Sequence, residues 1–493
     1  MLTLLTDPLN LPSWRKWAII LLVSAYGCTS VVLASGLGPI FSVVQASYPE
    51  AGGKTNDLLT YPTLLMGVGN LFSMPMAMVI GRRPVFLFSM FVLLLGGLWC
   101  ALSTSLDSHI AGRAIMSLAA GQSEALAPMM VQELAFLHEK GRKLGWFIFI
   151  QNITSGAFFI ASTYLVAAYG WKWWYGLFTI ANGVLFVLSV VFLTETSYAG
   201  RGDSEHSPST GHHQEDQTDQ HGDSKQAPIA TTTFRPALDP ETFGPRTWRN
   251  DLRFMNRKRD WSVLLTFYKQ LLQGLCVPPI IWLLLLNGAF LGIYIFEAST
   301  FSKVLLSPPY SLSFEALGYV QAGQIIVCLI FLPLLGYGSD LVIRVMSARN
   351  AGVYKPEYRL VMLLIPSIVG VISTIIYGQA GASPNEWSLA APVITYNASF
   401  FAFLGANVVG ITYAVDSFPT RAEAFLVVIC AGRGIMSFGL SYATLPSIEA
   451  IGYDGALNIQ GGISGALSLL AIAFYIWGPA IRVFAKKQMG IEG

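Results

Sequence analysis

Apolar segments of about 20 residues recur along most of this 493-residue chain. A helix of that length, ~20 residues, crosses the ~30 Å hydrocarbon core of a bilayer. Only 12% of the residues are charged and 53% are hydrophobic, whereas a soluble domain carries roughly 25% charged residues. So few charges cannot form a water-facing surface, and the mean hydropathy of +0.55 agrees. We therefore expect a chain that lies mainly in a membrane.

The apolar segments form two groups of six, which predicts an all-α membrane protein with twelve transmembrane helices. The predicted spans are 17–41, 58–80, 85–104, 110–132, 144–167, 173–194, 278–300, 314–336, 359–378, 388–414, 424–446 and 457–478. In chain order the parts are an N-terminal tail at 1–16, six spans at 17–194, a central loop at 195–277, six spans at 278–478 and a C-terminal tail at 479–493.

The central loop has two parts that differ in composition. Residues 200–226 are rich in Ser, His, Gln, Asp and Gly, which bury too little apolar area to fold, so we expect disorder. Residues 253–269 are basic. They lead into an amphipathic helix that we expect at the membrane interface, with an apolar face made of Trp261, Leu264, Leu265, Tyr268 and Leu272.

Lysine and arginine collect on alternate loops, as the positive-inside rule requires when the spans are counted correctly. With both termini cytoplasmic, the predicted outer loops hold three of the 30 basic residues, Lys54, Lys172 and Lys303. Because the basic residues follow the topology, a net charge of +2 gives no reason to expect binding to nucleic acid.

The sequence predicts neither a metal site nor an enzyme active site, and we expect no cofactor. The cysteines are isolated in or beside apolar segments, which is typical of packing residues; they are Cys28, Cys100, Cys276, Cys328 and Cys430. Four of the six histidines lie in the central loop, at 206, 212, 213 and 221. A transporter is therefore favoured over a membrane enzyme.

Four ionisable side chains fall inside predicted spans, where an unpaired charge costs several kcal/mol and so indicates function. Glu124 is the candidate for binding a proton or a cationic substrate, and its alternative is a carboxylate held by a neighbouring helix. Arg113, on the same predicted span, either tunes that site or reaches toward the outer surface. Their spacing predicts one shared helix face and ~16 Å of axial separation.

The other two ionisable side chains are expected to have different roles. Glu297 lies near the outer end of the seventh predicted span, so we expect it to reach the interface. Arg433 is expected to brace helices at a gate rather than to contact substrate.

Uncharged polar and aromatic residues inside the spans are weaker signals, since most such side chains join helices or fill the core. An aromatic pocket for an organic substrate is nevertheless predicted from them. The candidates for this cavity are Tyr26, Asn287, Tyr294, Gln324, Asn397 and Phe400.

The short inner loop at 81–84, Gly-Arg-Arg-Pro, resembles the signature loop of the major facilitator superfamily. Five further stretches are similar to the fungal branch of its twelve-span drug:proton antiporter family, which includes polyamine and organic-cation permeases. They are residues 113–124, 136–142 (FLHEKGR), 170–173 (GWKW), 350–360 (NAGVYKPEYRL) and 413–421 (YAVDSFPTR).

This resemblance implies two six-helix bundles with the substrate near mid-membrane between them. It also implies a gate at the inner helix ends, where arginines and carboxylates form contacts that break on opening. Met78 stands where the family has an acid, and residues 156–162 (GAFFIAS) differ from the usual glycine-proline pattern. The residues assigned to gating are Arg82, Arg83, Asp340, Asp416, Arg421 and Arg433.

The leading hypothesis is a proton-coupled exporter of a small organic molecule, such as a metabolite or drug, at a plasma membrane. The expected partners are this substrate, protons and the lipid bilayer, and the chain is expected to be a monomer. Uptake of polyamines or related cations is the alternative, with Glu124 as the counter-charge. A membrane sensor that signals through the central loop without transport is a lesser alternative.

Overall fold

The computed structural model describes residues 11–135, 140–196 and 261–489, and these residues are helical with short connections. The helices are α1 (Ser13–Ser35), α2 (Phe41–Ala46), α3 (Asp57–Ile80), α4 (Arg82–Leu102), α5 (Leu106–Ala120), α6 (Gln122–Glu133), α7 (Lys140–Tyr169), α8 (Trp171–Phe192), α9 (Ser262–Gly274), α10 (Pro278–Leu306), α11 (Ala316–Arg349), α12 (Leu364–Ala382), α13 (Ala390–Ser417), α14 (Ala422–Tyr442) and α15 (Thr444–Gln488). We call α1–α8 the N-terminal bundle and α10–α15 the C-terminal bundle. The expected disorder at 200–226 lies outside the described residues.

Eleven helical segments of the described chain are long and apolar enough to cross a membrane. The predicted fourth span, 110–132, is divided at Gly121 into α5 and α6, which have 15 and 12 residues. Neither piece alone reaches the length of a span. The backbone of Gly121 is itself helical (φ −52°, ψ −37°), so α6 continues directly from α5. Twelve crossings therefore stay a prediction.

The helices extend beyond several predicted spans because hydropathy marks the lipid-facing part of a helix rather than its ends. The predicted seventh span, 278–300, is part of α10, which continues to Leu306. The predicted last span, 457–478, lies within α15. This helix is broken at Gly452, whose φ of +76° and ψ of 174° interrupt the helical backbone.

Large apolar side chains cover the outside of the helices. Phe88, Leu102 and Leu469 expose about two thirds of their surface. An aqueous protein would aggregate through so much exposed apolar surface, whereas lipid tails solvate it. The chain is a multi-pass membrane protein.

Helix α9 forms where an amphipathic helix was expected before the seventh span, and its place at the membrane interface stays a prediction; residues 253–260 lie outside the described residues. Phe267 is buried, and the hydroxyl of Tyr268 donates to the Leu71 carbonyl of α3 at 3.1 Å. Trp261, Leu265 and Leu272 form an exposed apolar stripe on the other side. Helix α9 also packs on α14 of the C-terminal bundle, since a Cβ atom on Gly274 would lie 2.9 Å from the Phe425 ring. It thus contacts both bundles and turns an apolar stripe outward.

Two glycines allow the bundles to touch through their backbones. A Cβ atom on Gly434 of α14 would lie 2.8 Å from the Thr63 carbonyl oxygen and 2.9 Å from the Gly67 Cα of α3. A Cβ atom on Gly67 would in turn lie 2.8 Å from the Ala431 carbonyl oxygen. Helices α3 and α14 therefore cross with no room for a side chain at this point.

We predict that Gly434→Leu lowers the midpoint of thermal unfolding in detergent, because its side chain forces the α3–α14 crossing apart at a cost of ~1–3 kcal/mol. Gly439→Leu is the matched control, since a Cβ atom at Gly439 of the same helix meets nothing within 4 Å. Equal unfolding midpoints for the two variants would contradict the close crossing.

Candidate functional site between the bundles

The α3–α14 crossing places a buried ion pair between the two bundles. Nη2 of Arg433 on α14 lies 2.6 Å from Oε1 of Glu124 on α6. The Arg433 side chain is 4% exposed and that of Glu124 is 22% exposed. We call this contact the central ion pair. It joins two of the four intramembrane charges recognised in the sequence, one from each bundle.

Amide side chains complete the hydrogen bonds of the central ion pair. Nη1 of Arg433 donates to Oδ1 of Asn407 on α13 at 2.7 Å. Nδ2 of Asn70 on α3 donates to Oε2 of Glu124 at 3.3 Å. The pair is thus held from both bundles, as a charge pair in a low-dielectric site requires.

The position of Glu124 depends on a second close helix contact. A Cβ atom on Gly121 would lie 2.2 Å from the Met66 carbonyl oxygen of α3. The absence of a side chain at Gly121 lets the start of α6 lie directly against α3. Glu124 therefore comes within reach of Asn70 and of the opposite bundle.

An aromatic cluster continues from the central ion pair into the C-terminal bundle. It consists of Phe403, Tyr294, Tyr396 and Phe400. The guanidinium carbon of Arg433 lies 5.7 Å from the Phe403 ring centroid, which is within the range of a cation–π contact. The Phe403 and Tyr294 rings are nearly parallel at 6.2 Å. Charged, polar and aromatic groups therefore share one continuous surface.

Glutamine side chains give the aromatic cluster a polar edge. Nε2 of Gln324 donates to the Tyr294 hydroxyl at 2.9 Å, and Nε2 of Gln321 donates to the Tyr396 hydroxyl at 3.1 Å. Of the predicted cavity residues, Tyr294, Gln324 and Phe400 are thus brought together.

The remaining predicted cavity residues lie in helix contacts. The Tyr26 hydroxyl, inside the N-terminal bundle, donates to the Ala119 carbonyl at 3.3 Å. Nδ2 of Asn397 donates to the Val320 carbonyl of α11 at 3.1 Å. Nδ2 of Asn287 donates to the Leu283 carbonyl of its own helix at 2.9 Å. These three side chains are not part of the aromatic cluster.

Arg113 does not share a site with Glu124. Its guanidinium donates to the Leu58 and Ala34 carbonyls at 2.7 Å and to the Tyr175 hydroxyl at 2.7 Å. The residue is fully buried, so the expectation that it reaches the outer surface is wrong. Arg113 joins α1, α3 and α8 within one bundle, whereas Glu124 faces the other.

The structure also corrects the position of Glu297, which was expected at the interface. Its exposed fraction is 0%, and Oε1 accepts a hydrogen bond from the Ser399 hydroxyl at 2.9 Å. The reason is the length of α10, which continues for six residues beyond the predicted end of the span at 300. The fully buried Glu297 therefore joins the partly exposed Glu124 as a carboxylate enclosed by the packed helices.

Arg82 links the bundles a second time, at the face predicted to be cytoplasmic. Its Nη2 lies 3.1 Å from Oε1 of Glu133 in the N-terminal bundle and 3.7 Å from Oε1 of Glu423 in the C-terminal bundle. Met78 supplies no acid here, but Glu133 and Glu423 do. We call Arg82, Glu133 and Glu423 the inner cluster.

A carboxylate caps the start of α4 beside the inner cluster. The backbone nitrogens of Arg82 and Arg83 donate to the two carboxylate oxygens of Glu195 at 2.9 and 3.1 Å. Gly81 precedes them at a φ of +125°, and a Cβ atom there would lie 2.7 Å from Oε2 of Glu195. Nη2 of Arg83 donates to the Val190 carbonyl at 2.7 Å. The 81–84 loop is thus fixed to the end of α8.

Two of the sequence stretches that carry the resemblance meet in the C-terminal bundle. Nε of Arg359 lies 2.6 Å from Oδ2 of Asp416, and the Tyr354 hydroxyl donates to the same oxygen. Partial burial, followed by the hydrogen bond to Asp416, raises the pKa of Tyr354 to about 12. Its hydroxyl therefore keeps its proton and acts as a donor.

The last two residues assigned to gating lie apart. Arg421 contacts the Gln273 side chain of α9 and donates to the Met489 carbonyl at 3.1 Å. Asp340 is exposed on α11, and within the described residues its carboxylate has no ionic partner. Neither residue touches the central ion pair.

Sequence reasoning missed Asn70, Glu133, Glu195 and Arg359 as site residues. Glu133 and Glu195 lie one residue beyond predicted span ends at 132 and 194. Both carboxylates lie at helix ends on the same predicted membrane face as the arginines of the 81–84 loop, and this shared position was the available signal that they contact those arginines. Asn70 gave none, since a lone amide in a span most often joins helices.

A lateral groove of about 440 Å³ lies elsewhere, between α12 and α15. Its lining is almost entirely apolar and includes Ile368, Ile372, Leu469 and Ile472. Such a surface suits lipid chains, since it offers no charged group and only the hydroxyls of Ser367, Ser468 and Tyr475 as polar contacts for a substrate. The candidate site is therefore the region around the central ion pair.

We predict that Arg433→Gln destabilises the protein by up to ~3–5 kcal/mol, because it removes the partner of the Glu124 carboxylate, which is only partly exposed to solvent. The double change Glu124→Gln with Arg433→Gln should be less destabilising than Arg433→Gln alone. Thermal unfolding in detergent measures both. Asp107→Asn is the control, since it breaks the exposed pair with Lys54 (side chains 77% and 56% exposed) and should change nothing. A double variant with additive losses would contradict a coupled pair.

Known proteins share this architecture and sequence pattern. The MFS-type transporter atr4 of Stereocaulon alpinum is 25% identical over 98% of this chain and 81% of its own length. The efflux pump radE of Floropilus chiversii is 21% identical over 98% of this chain and 84% of its own length. A similar solved structure is that of the xylose transporter XylE from E. coli in a partially occluded inward open conformation. The alignment covers 94% of this chain and 98% of the XylE chain, with a TM-score of 0.58 and 15% sequence identity.

The family assignment rests on most of the chain. The sequence model of the Major Facilitator Superfamily matches residues 17–435, which include nearly all of the N-terminal bundle, the C-terminal bundle as far as α14, and the site between them. Its members are transporters, in agreement with the prediction of a transporter rather than an enzyme. The chain belongs to the major facilitator superfamily of secondary transporters.

Proposed function

We propose that the chain is a proton-coupled exporter of a small organic molecule that works by alternating access. The observation that carries the proposal is the central ion pair of Glu124 and Arg433 between the bundles. Alternating access moves one bundle relative to the other around a fixed site. A charge pair that spans both bundles therefore resists this motion until one charge is neutralised or rebound.

The surface around the pair suits an amphipathic organic substrate. Phe403, Tyr294 and Phe400 offer flat apolar faces, while Gln324 and Glu124 offer polar contacts. Pockets for small organic molecules have this composition, mostly aromatic with a few polar groups that fix orientation. We propose these five residues as the substrate contacts.

Glu124 is the proposed coupling group because protonation removes its attraction for Arg433. Arg433 keeps its hydrogen bond to Asn407 and its contact with Phe403, so it remains satisfied within the C-terminal bundle. Binding of a proton at Glu124 thus releases the two bundles from each other. The substrate and the proton then compete for the same ion pair, and antiport requires such competition.

The inner cluster is the proposed cytoplasmic gate. Arg82 contacts Glu423 of the other bundle at 3.7 Å, at the end of the helices opposite to the predicted outer loops. This contact must break for the site to open inward. Arg83, Asp416 and Arg421 are proposed to fix the helix ends that carry the gate. Asp340 is proposed as a gating residue on its position alone.

We propose twelve crossings, with α5 and α6 together forming the fourth and with both termini cytoplasmic. The distribution of Lys and Arg supports this orientation. A plasma-membrane location and a monomeric state complete the proposal. Outward transport is supported by the relative in Floropilus chiversii that is named an efflux pump.

Uptake of polyamines or other cations is the second candidate. The partly exposed Glu124 carboxylate favours it, since it could replace Arg433 with the amine of a substrate. Counterflow of labelled spermidine against rhodamine 6G in vesicles separates the two functions. A sensor role for the central loop predicts that deletion of residues 200–226 abolishes signalling and leaves this counterflow intact.

We predict that Glu124→Gln abolishes proton-driven accumulation of rhodamine 6G but permits its exchange, because exchange needs no net proton movement. Tracer uptake into vesicles with and without a pH gradient measures both. Glu386→Gln, an exposed change elsewhere in the chain, is the control. If transport of cations loses apparent affinity while transport of neutral compounds does not, Glu124 binds the cation instead. Uphill transport at the wild-type rate would contradict both roles.

We predict that Arg82→Ala slows turnover and leaves the substrate Kd nearly unchanged, because Arg82 lies at the helix ends and not at the central ion pair. Arg83→Ala should slow turnover less, and Glu423→Gln, which removes the ionic contact of Arg82 across the bundles and leaves its pair with Glu133 in place, should act like Arg82→Ala. Rhodamine 6G binding and counterflow rates test this. A large loss of affinity with normal turnover would refute the assignment.

A further inference from the structure

A second carboxylate lies deep in the C-terminal bundle without a cation. Glu297 on α10 is 0% exposed. Its Oε1 accepts one hydrogen bond, from the Ser399 hydroxyl at 2.9 Å, and its Oε2 has no hydrogen-bond partner among the described residues. A buried carboxylate with one neutral donor and a bare oxygen carries an uncompensated charge if it is ionised.

The groups around Glu297 are hydroxyls. Ser373 on α12 lies 3.1 Å from Ser399 on α13, both measured at Oγ. The Tyr377 hydroxyl of α12 donates to the Glu297 carbonyl at 3.4 Å and lies 3.1 Å from Oγ1 of Thr300. These groups donate and accept hydrogen bonds but bring no positive charge.

The titratable groups that lie next to Glu297 are tyrosines, Tyr294 on α10 itself and Tyr377 on α12. Charged residues do occur on the packed helices, among them Lys303 on α10 and Asp454 on α15, but within the described residues none forms an ion pair with Glu297. On α14 the nearest cation is Arg433, which packs at the level of Gly288. Gly288 lies nine residues before Glu297, or ~13 Å along the helix axis. The charge of Arg433 is already matched by Glu124.

A turn of the opposite bundle covers α10 beside Glu297. A Cβ atom on Gly38, in the turn Gly38–Ile40 after α1, would lie 3.2 Å from the carbonyl oxygen of Ala298, the residue after Glu297. This turn belongs to the N-terminal bundle and lies at the predicted outer end of α1. Separation of the bundles on that side would move this turn away from the segment of α10 that carries Glu297.

We infer that Glu297 is a second proton-binding site of the transporter, which holds a proton on Oε2 in this structure and exchanges it when the turn Gly38–Ile40 leaves α10. The coupling role of Glu297 rests on the proposed function, whereas the presence of the bound proton does not. Glu124, by contrast, lies 2.6 Å from a guanidinium nitrogen of Arg433. The two carboxylates therefore differ in their ionic partners within one conformation.

Infrared difference spectroscopy of the full chain in lipid tests the bound proton directly. The carboxylic acid C=O band should be present at neutral pH in wild type and in Glu124→Gln, and lost in Glu297→Gln. Ser399→Ala, which removes the hydrogen bond to Oε1, should shift the band without removing it. Absence of an acid band in wild type, or its survival in Glu297→Gln, would overturn the inference.

Transport assays test the coupling role separately. Glu297→Gln should lose accumulation of rhodamine 6G driven by a pH gradient while its counterflow stays near the wild-type rate. Full gradient-driven accumulation in Glu297→Gln would show that the proton is structural and would overturn coupling at this site. If wild type itself transports nothing, the proposed function fails, and the infrared result still decides whether Glu297 holds a proton.

Discussion

A charge inside a bilayer must be paired, because water is not there to solvate it. In this protein that constraint is met across the division between two bundles: Glu124 and Arg433 neutralise each other, and Asn70 and Asn407 complete their hydrogen bonds. A pair within one bundle would move with that bundle as a unit. A pair between bundles makes their separation depend on the charge of one carboxylate.

The rest of the architecture brings these two charges together. The crossing of α3 and α14 at Gly67 and Gly434 brings the bundles into backbone contact, and the contact of Gly121 with Met66 seats α6 on α3. Arg82 repeats the arrangement at the helix ends, with Glu133 from one bundle and Glu423 from the other. One ionic link lies at the predicted mid-membrane level and one at the predicted inner face, and in the proposed mechanism both change when the site alternates between the two sides.

The sequence predicted most of the helices and the individual charges, since both depend on local composition. Each predicted span overlaps a helical segment, and Glu124 and Arg433 stood out as single charges in apolar segments. Their pairing could not be predicted, because the two residues lie on helices far apart in the chain and hydropathy carries no information about which faces meet. Glu297 was placed at the interface because the apolar run ends near residue 300, although α10 continues to Leu306. The position of Asn70 followed from the Gly121 contact, which only the packed helices reveal.

The central claim is that the Glu124–Arg433 pair holds the two bundles together in this conformation. Spin labels are placed at two exposed positions, Trp146 on α7 and Tyr337 on α11, and the exposed Cys276 is replaced by serine. Pulsed electron paramagnetic resonance then measures the distance between the two labels and so between the bundles. At one pH, Glu124→Asp should keep the wild-type distance distribution, whereas Glu124→Gln should shift or broaden it. Identical distributions in wild type, Glu124→Asp and Glu124→Gln would contradict the claim.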